Sequence, residues 1–304
     1  MSGADAAGGG LRAGTVTLAG WTNVGKSALL NRLVGEKLAA VSPVSQTTRH
    51  RIVGVLHLEG RGQVVFADTP GLHEPRHRMN RAMVETTRQS LRDVDLVVLV
   101  VDASLGPGPG DARAADLLRH LPGSRIAVLN KIDLLPQKTK LLPMMKVLVE
   151  DWGLEEAVPV SALTGEGCDL LLERILARLP EGPPLYAADV LTDQPERFLA
   201  AEWIREKILL RTRQEIPHVT AVLMDRWQTR PDGLVEIEVT ILVERESQKA
   251  IVIGKGGSLL KAIGTEARAD IERLLDARVY LGLHVRARPD WRDDERTLHE
   301  LGLS

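Results

Sequence analysis

One cysteine, Cys168, stands in 304 residues, which excludes an intrachain disulfide framework and points to a reducing interior. It reads as a small packed residue rather than a reactive thiol. A membrane span is also missing. The most apolar run, 94–101, is far too short to cross a bilayer and suits a fully buried parallel strand. A global basic field is absent too, because the formal net charge is −2, so any nucleic-acid contact must be local. Residues 1–10 are small and Gly/Ala-rich, lack the basic and apolar regions of a signal peptide, and read as a disordered tail. No internal repeat stands out. What is present is an ordinary folded composition, 44% apolar and 26% charged, in a 33.3 kDa chain long enough for two domains.

From residue 14 to about 180, short β-rich runs alternate with helix-length segments. Strands are expected at 15–19, 53–58, 64–68, 96–102, 126–130 and 157–160, and helices at 27–33 and 111–121. This alternation predicts an α/β domain with a mostly parallel sheet and helices on both faces, its ligand site beyond the carboxyl ends of the strands. Pro180-Glu181-Gly182-Pro183-Pro184 breaks the pattern and opens a linker over 181–194. Residues 195–304 then read as a smaller α+β domain: a helix over 195–212, strands at 218–227 and 234–244, helices at 248–253 and 258–276, and a strand at 279–288.

Gly20-Trp21-Thr22-Asn23-Val24-Gly25-Lys26-Ser27 joins the first strand to a helix that continues with Ala28. A glycine-bearing turn there lets backbone N–H groups and a helix N-terminus face phosphate oxygens. Lys26 would neutralise the β- and γ-phosphates, and the Ser27 hydroxyl would bind Mg2+. Asp68-Thr69-Pro70-Gly71 closes another strand, placing Asp68 to hold Mg2+ through water and the Gly71 N–H to sense the γ-phosphate. Asn130-Lys131-Ile132-Asp133 could be a surface turn, but two strands after DTPG it reads as a guanine site. There Asp133 would accept from N1–H and the 2-amino group, Asn130 would tie the loop to the phosphate loop, and Lys131 would cover the base. Ser161-Ala162-Leu163 completes the base pocket by position, with the Ala162 N–H toward guanine O6. Within Ser45-Gln46-Thr47-Thr48-Arg49, Thr48 rather than Thr47 is the expected Mg2+ ligand, ordered with the γ-phosphate.

Ile253-Gly254-Lys255-Gly256-Gly257 sits between two helical segments. A GxxG turn lets a sugar-phosphate chain approach the backbone beside an apolar groove for about four nucleotides. With Lys261 and Arg268 following, and helix, two strands, two helices, strand as the order, it reads as a type II KH domain. Residues 185–304 hold eighteen basic and twenty-one acidic side chains, a net of −3. The groove should therefore read a short single strand rather than bind polyanions at large. The acidic run 293–295 reads as a solvated helix face.

These motifs, in this order, resemble the Era family of GTPases, and QTTRHRIVG at 46–54 is particularly similar to it. So are LTDQPERFLA at 191–200, REK at 205–207, ERE at 244–246 and DWRDDER at 290–296. The resemblance implies GTP hydrolysis and recognition of the 3′ end of 16S rRNA during assembly of the small (30S) ribosomal subunit. A related GTPase serving another RNA or a membrane-peripheral partner is the alternative. It also implies a cytoplasmic monomer, with contact at the inner face of the membrane left open. Leu72 stands where Ras-like proteins carry a water-positioning glutamine. Slow intrinsic hydrolysis follows, accelerated by K+ near Asn23 or by the ribosome. Trp21-Thr22 replaces the family's usual Arg-Pro, which implies altered loop stiffness and retained binding.

Overall fold

The computed structural model describes residues 10–72, 77–92, 94–121 and 123–303, so the expected tail at 1–10 lies outside them except for Gly10. The first unit runs β1 (Arg12–Ala19), α1 (Lys26–Val34), β2 (Ile52–Leu58), β3 (Gly62–Asp68), α2 (Arg78–Ser90), β4 (Leu96–Asp102), α3 (Pro109–Arg119), β5 (Ser124–Asn130), α4 (Leu141–Lys146), β6 (Ala157–Pro159) and α5 (Cys168–Leu176). Its strands lie in the order β2-β3-β1-β4-β5-β6, and of these only β2 runs antiparallel to its neighbour. Every residue of β3 and β4 is buried, as in strands covered on both faces. Leu29 and Leu30 of α1 with Ile175 of α5 pack one face; Leu118 of α3 and Leu141 of α4 pack the other. The parallel arrangement gathers the loops after β1, β3, β5 and β6 along one edge.

The second unit follows as α6 (Glu196–Arg211), α7 (Ile216–Val219), β7 (Ala221–Thr229), β8 (Val235–Val243), α8 (Glu246–Ile253), α9 (Ser258–Leu275), β9 (Val279–Ala287) and α10 (Glu295–Glu300). Its sheet has the order β7-β8-β9, antiparallel then parallel. Trp203, Ile204 and Ile208 of α6 and Ile263 and Ile271 of α9 bury its apolar face over Ile237, Val239 and Ile241. Together the two units give the expected class: an α/β phosphate-loop domain with a mostly parallel sheet, and a smaller α+β domain.

Two expectations are corrected. The strand placed at 218–227 begins only at Ala221, because Pro217 presets a helical φ and Ile216–Val219 forms a short helix. The acids at 293–295 are exposed as expected, but only Glu295 stands within a helix. Asp293 Oδ1 accepts from Arg78 N at 2.8 Å at the start of α2, and Asp294 Oδ2 caps α10 through Thr297 N at 2.9 Å. The segment after Pro180 is held to the first sheet: Val55 N donates to Leu191 O at 2.8 Å and Thr192 Oγ1 to Val53 O at 2.6 Å. The units meet in a buried cluster of Met79 and Met83 with Ala221, Leu242, Trp291, Leu298 and Leu303.

Candidate functional site

The turn from β1 into α1 places Lys26 in a buried position, its Nζ donating to Trp21 O at 2.9 Å and Gly20 O at 3.3 Å. Burial pulls its pKa down to about 8, against the attraction of Asp68 and Asp111. Among the described residues, only carbonyls and more distant carboxylates compensate this cation, and a phosphate group suits it. Gly25 adopts φ +93°, and a Cβ there would come within 2.4 Å of Asn130 Nδ2. Asn23, Gly25, Lys26, Ser27 and Ala28 line a recess that also meets Thr48 and Gly71, while Gly20 follows β1 and Val24 lies in the core beneath. Gly71 follows β3 and packs so close to Thr22 that an added Cβ would lie 2.8 Å from its Cγ2.

Ser27 Oγ donates to Asp68 Oδ2 at 2.6 Å and lies 2.6 Å from Thr48 Oγ1, which reaches the same Oδ2 at 3.1 Å. Asp68 is fully buried; burial raises its pKa against Lys26 and the two hydroxyls. Its Oδ1 has no hydrogen-bond partner among the described residues. Clustered hard oxygens with an orphaned carboxylate oxygen fit Mg2+. Thr47 turns elsewhere, its Oγ1 donating to Val44 O at 2.7 Å.

A second cavity, about 560 Å³, lies beside the phosphate loop and is lined by Ala28, Asn130, Lys131, Asp133, Ala162 and Leu163, among others. Asn130 Nδ2 donates to Val24 O at 3.0 Å and its Oδ1 accepts from Ala162 N at 3.0 Å. Here the structure differs from expectation: the Ala162 N–H is engaged by Asn130, because the bond to Val24 turns the Asn130 carbonyl oxygen toward the Ala162 loop. Ser161 Oγ donates to Asp133 Oδ1 at 2.5 Å, so it orients the carboxylate and does not itself line the cavity. Lys131 Nζ meets Asp102 Oδ2 at 2.6 Å and Asn23 O at 2.7 Å. Arg32 of α1 holds the third loop through Ala162 O at 2.9 Å and Leu163 O. The bracing by Asp102, Arg32 and Ser161 escaped sequence reading. A carboxylate ending β4 was its only local signal.

The Thr48 segment is anchored on the second unit. Arg205 of α6 donates to Thr47 O, and its Nε is held by Glu202 Oε1 at 2.9 Å. Arg49 donates to Thr220 O at 2.7 Å and Pro217 O at 3.3 Å, with its guanidinium over the Trp291 ring. The His50 ring packs edge-on to Phe198, and Nε2 lies 2.8 Å from Leu301 O, so the neutral ring donates there. Burial lowers the His50 pKa; Glu202 and the Leu301 carbonyl oppose this, while Arg205 and Arg49 add to it. With the folded pKa below the unfolded one, the unfolded chain takes the proton first. The stability is thus full above about pH 6.5 and declines as pH falls below it. Between pH 7.5 and 5.5, His50→Gln should lose about 2–4 °C less in Tm than the parent chain, measured by differential scanning fluorimetry.

At the other end of the second unit, Gly254 has φ +74° and a Cβ there would lie 2.7 Å from Leu259 Cβ, so the GxxG turn needs glycine. Lys255 and Gly256 are exposed, and Ile253 is half-buried at the end of α8. A groove of about 380 Å³ next to this turn is lined by Gly257, Lys261, Arg268 and, from β9, Leu281 and Leu283. Ile253, Gly254, Lys255 and Gly256 form the adjoining turn rather than the groove wall. Leu281 and Leu283 were missed, although their alternation along β9 was visible.

A loop bearing Asp133 beside the Lys26 turn, and a GxxG turn beside a groove lined by Lys261, Arg268, Leu281 and Leu283, fit a phosphate-loop GTPase joined to a KH domain. Family models described as "50S ribosome-binding GTPase" and "KH domain" match residues 15–131 and 215–292. The chain belongs to the GTPase Era family. It is 48% identical to GTPase Era of Geobacter metallireducens over 96% of this chain and 98% of that protein. Against GTPase Era of Heliobacterium modesticaldum the identity is 45%, over 96% and 97%. Among solved structures it is similar to Era in complex with MgGDPNP and nucleotides 1506–1542 of 16S ribosomal RNA, with TM-score 0.94, 39% identity, and 97% and 99% of the two chains covered. A variant of Aquifex aeolicus Era bound to GDP and AlF4− gives TM-score 0.93 at 39% identity, over 97% and 100%. The chain is thus a GTPase.

Proposed function

We propose that the chain is a switch that hydrolyses GTP to GDP and phosphate, binds 16S rRNA near its 3′ end, and assists assembly of the small ribosomal subunit. The observation that carries this is the convergence of Ser27, Thr48 and Asp68 in a chain that also bears the GxxG groove. The similar Era held with MgGDPNP and 16S rRNA supports the same pairing of ligands. The nucleotide unit would span 14–180, the linker 181–194 and the RNA unit 195–304.

Ser27, Thr48 and, through water, Asp68 would hold Mg2+, which would supply neutralising charge to the phosphates. Lys26 binds the β- and γ-phosphates, the Gly71 N–H faces the γ-phosphate, and Asp133 reads the guanine edge under Lys131 and Leu163. Gly254, Lys255, Gly256 and Gly257 receive the sugar-phosphate chain, with Lys261 and Arg268 along the groove. Leu72 is buried against the apolar cluster under α3, with only its backbone N turned to Gly20 O at 3.1 Å, so its side chain orients no water. Acceleration then comes from K+ near Asn23 or from the ribosome. Exchanging potassium for sodium at constant ionic strength should slow turnover on the order of tenfold, about 1.4 kcal/mol. Equal rates would remove the potassium part. The protein acts as a cytoplasmic monomer.

The test is equilibrium binding of a short RNA matching the 3′ end of 16S rRNA, with GDP or a nonhydrolysable GTP analogue present. Specific binding over a scrambled RNA, lost in Gly256→Asp by more than about tenfold, is expected. Equal affinity for both RNAs would sink the rRNA assignment.

A further inference from the structure

β7 pairs on one side only, with β8. Among the described residues, no hydrogen bond other than this pairing reaches the backbone of β7. Its outer edge therefore presents free N–H and C=O groups. Alongside lies a cavity of about 830 Å³ bordered by α6 and, across one face of the sheet, by Thr240 and Leu242 of β8 and Arg286 of β9. All residues from 221 to 227 border it. Successive strand side chains point to opposite faces, so a cavity that meets both sets wraps around the strand's edge from one face of the sheet. A groove between a helix and a free strand edge is the geometry in which an extended peptide adds as a further strand.

The charge of the groove selects among peptides. Arg197 and Arg286 line it, are exposed, and form no ion pair among the described residues. The carboxylates in the lining are already engaged: Glu202 with Arg205, Glu300 with Arg288, and Asp225 with the Thr240 hydroxyl. Asp225 keeps its charge, since a hydroxyl does not neutralise it, but Arg197 and Arg286 outweigh it, while Phe198, Ala201 and Leu223 supply apolar wall.

We propose that the groove between α6 and β7 is a docking site for an extended, acidic segment of a partner protein, added as a strand on β7. A nucleic-acid strand lacks the alternating amide donors and acceptors that this edge would pair. The RNA groove, at Leu281 and Leu283 of β9, shares no lining residue with this cavity, so both can be filled together. The proposal goes beyond the nucleotide and rRNA reading and does not depend on it.

The probe is a fluorescein-labelled octapeptide of alternating valine and glutamate, titrated into the full-length protein by anisotropy. Saturable binding below about 1 mM is expected. Methylating alternate backbone nitrogens on the pairing edge should weaken it at least about tenfold, because strand addition needs those N–H groups. The double variant Arg197→Glu/Arg286→Glu should reverse the preference toward a valine-lysine peptide, with GDP affinity and Tm unchanged as the check on folding. Three outcomes would overturn the proposal: no saturable binding, binding indifferent to N-methylation, or equal affinity for both peptides in the parent chain. Displacement of the peptide by the 16S rRNA oligonucleotide would overturn it as well, since the two sites would then be one.

Discussion

Asp133→Asn should lower affinity for GDP and GTP by about 10⁴-fold while raising affinity for the xanthine nucleotides. The carboxylate offers guanine two acceptors, for N1–H and the 2-amino group. In the variant, Ser161 Oγ, which donates to Asp133 Oδ1 at 2.5 Å, would retain the amide oxygen on its own side. The amide nitrogen would then face the base, donor against donor with guanine. Xanthine carries a carbonyl in place of the 2-amino group and accepts from that nitrogen. Competition of fluorescent GDP by GDP and by XDP measures the exchange. A variant that still prefers GDP would mean that Asp133 does not read the base.

The second large effect lies outside the nucleotide pocket. Arg205→Ala should cost about 3–5 kcal/mol of unfolding free energy, because Glu202 is left buried without its partner. Arg49, whose own pKa burial draws down to about 9, is already directed at the second unit through Pro217 O and Thr220 O. The same change frees the Thr47 carbonyl, next to the Thr48 hydroxyl in the Mg2+ cluster. A double variant, Glu202→Leu/Arg205→Met, separates the two consequences, since apolar replacement of a buried pair is often neutral. It should recover most of the stability in urea unfolding yet need several-fold more Mg2+ for half-maximal hydrolysis. Parent-like Mg2+ dependence in the double variant would show that Arg205 serves folding alone.

Local features were the legible ones. The apolar run of β4 and the phosphate-loop and GxxG motifs could be read because backbone chemistry and burial act over a few residues. The segment near 218 misread because Pro217 presets a helical φ, and the one near 293 because contacts from distant chain decide it. Pro217 and Thr220 receive Arg49 from 168 and 171 residues away, and Asp293 meets Arg78 across 215. Sequence gives such residues a charge but not a partner. REK at 205–207 was conspicuous for the same reason without its use being evident: Arg205 grips the Thr47 carbonyl, and Glu206 meets Lys37 and the Val41 N–H of the other unit. Pattern marked which residues were unusual; the geometry says what they hold.

The support that Asp293 gives to the start of α2, and Leu301 to His50, also sets an order of manufacture. A chain emerging from a ribosome completes its guanine pocket once Leu163 is free, but the segments on either side of the Mg2+ cluster are still waiting for residues 293 and 301. The half-made protein can grip a base well before it can settle its switch. During synthesis the Thr48 segment and the start of α2 therefore gain these contacts only after the RNA-reading half has been built.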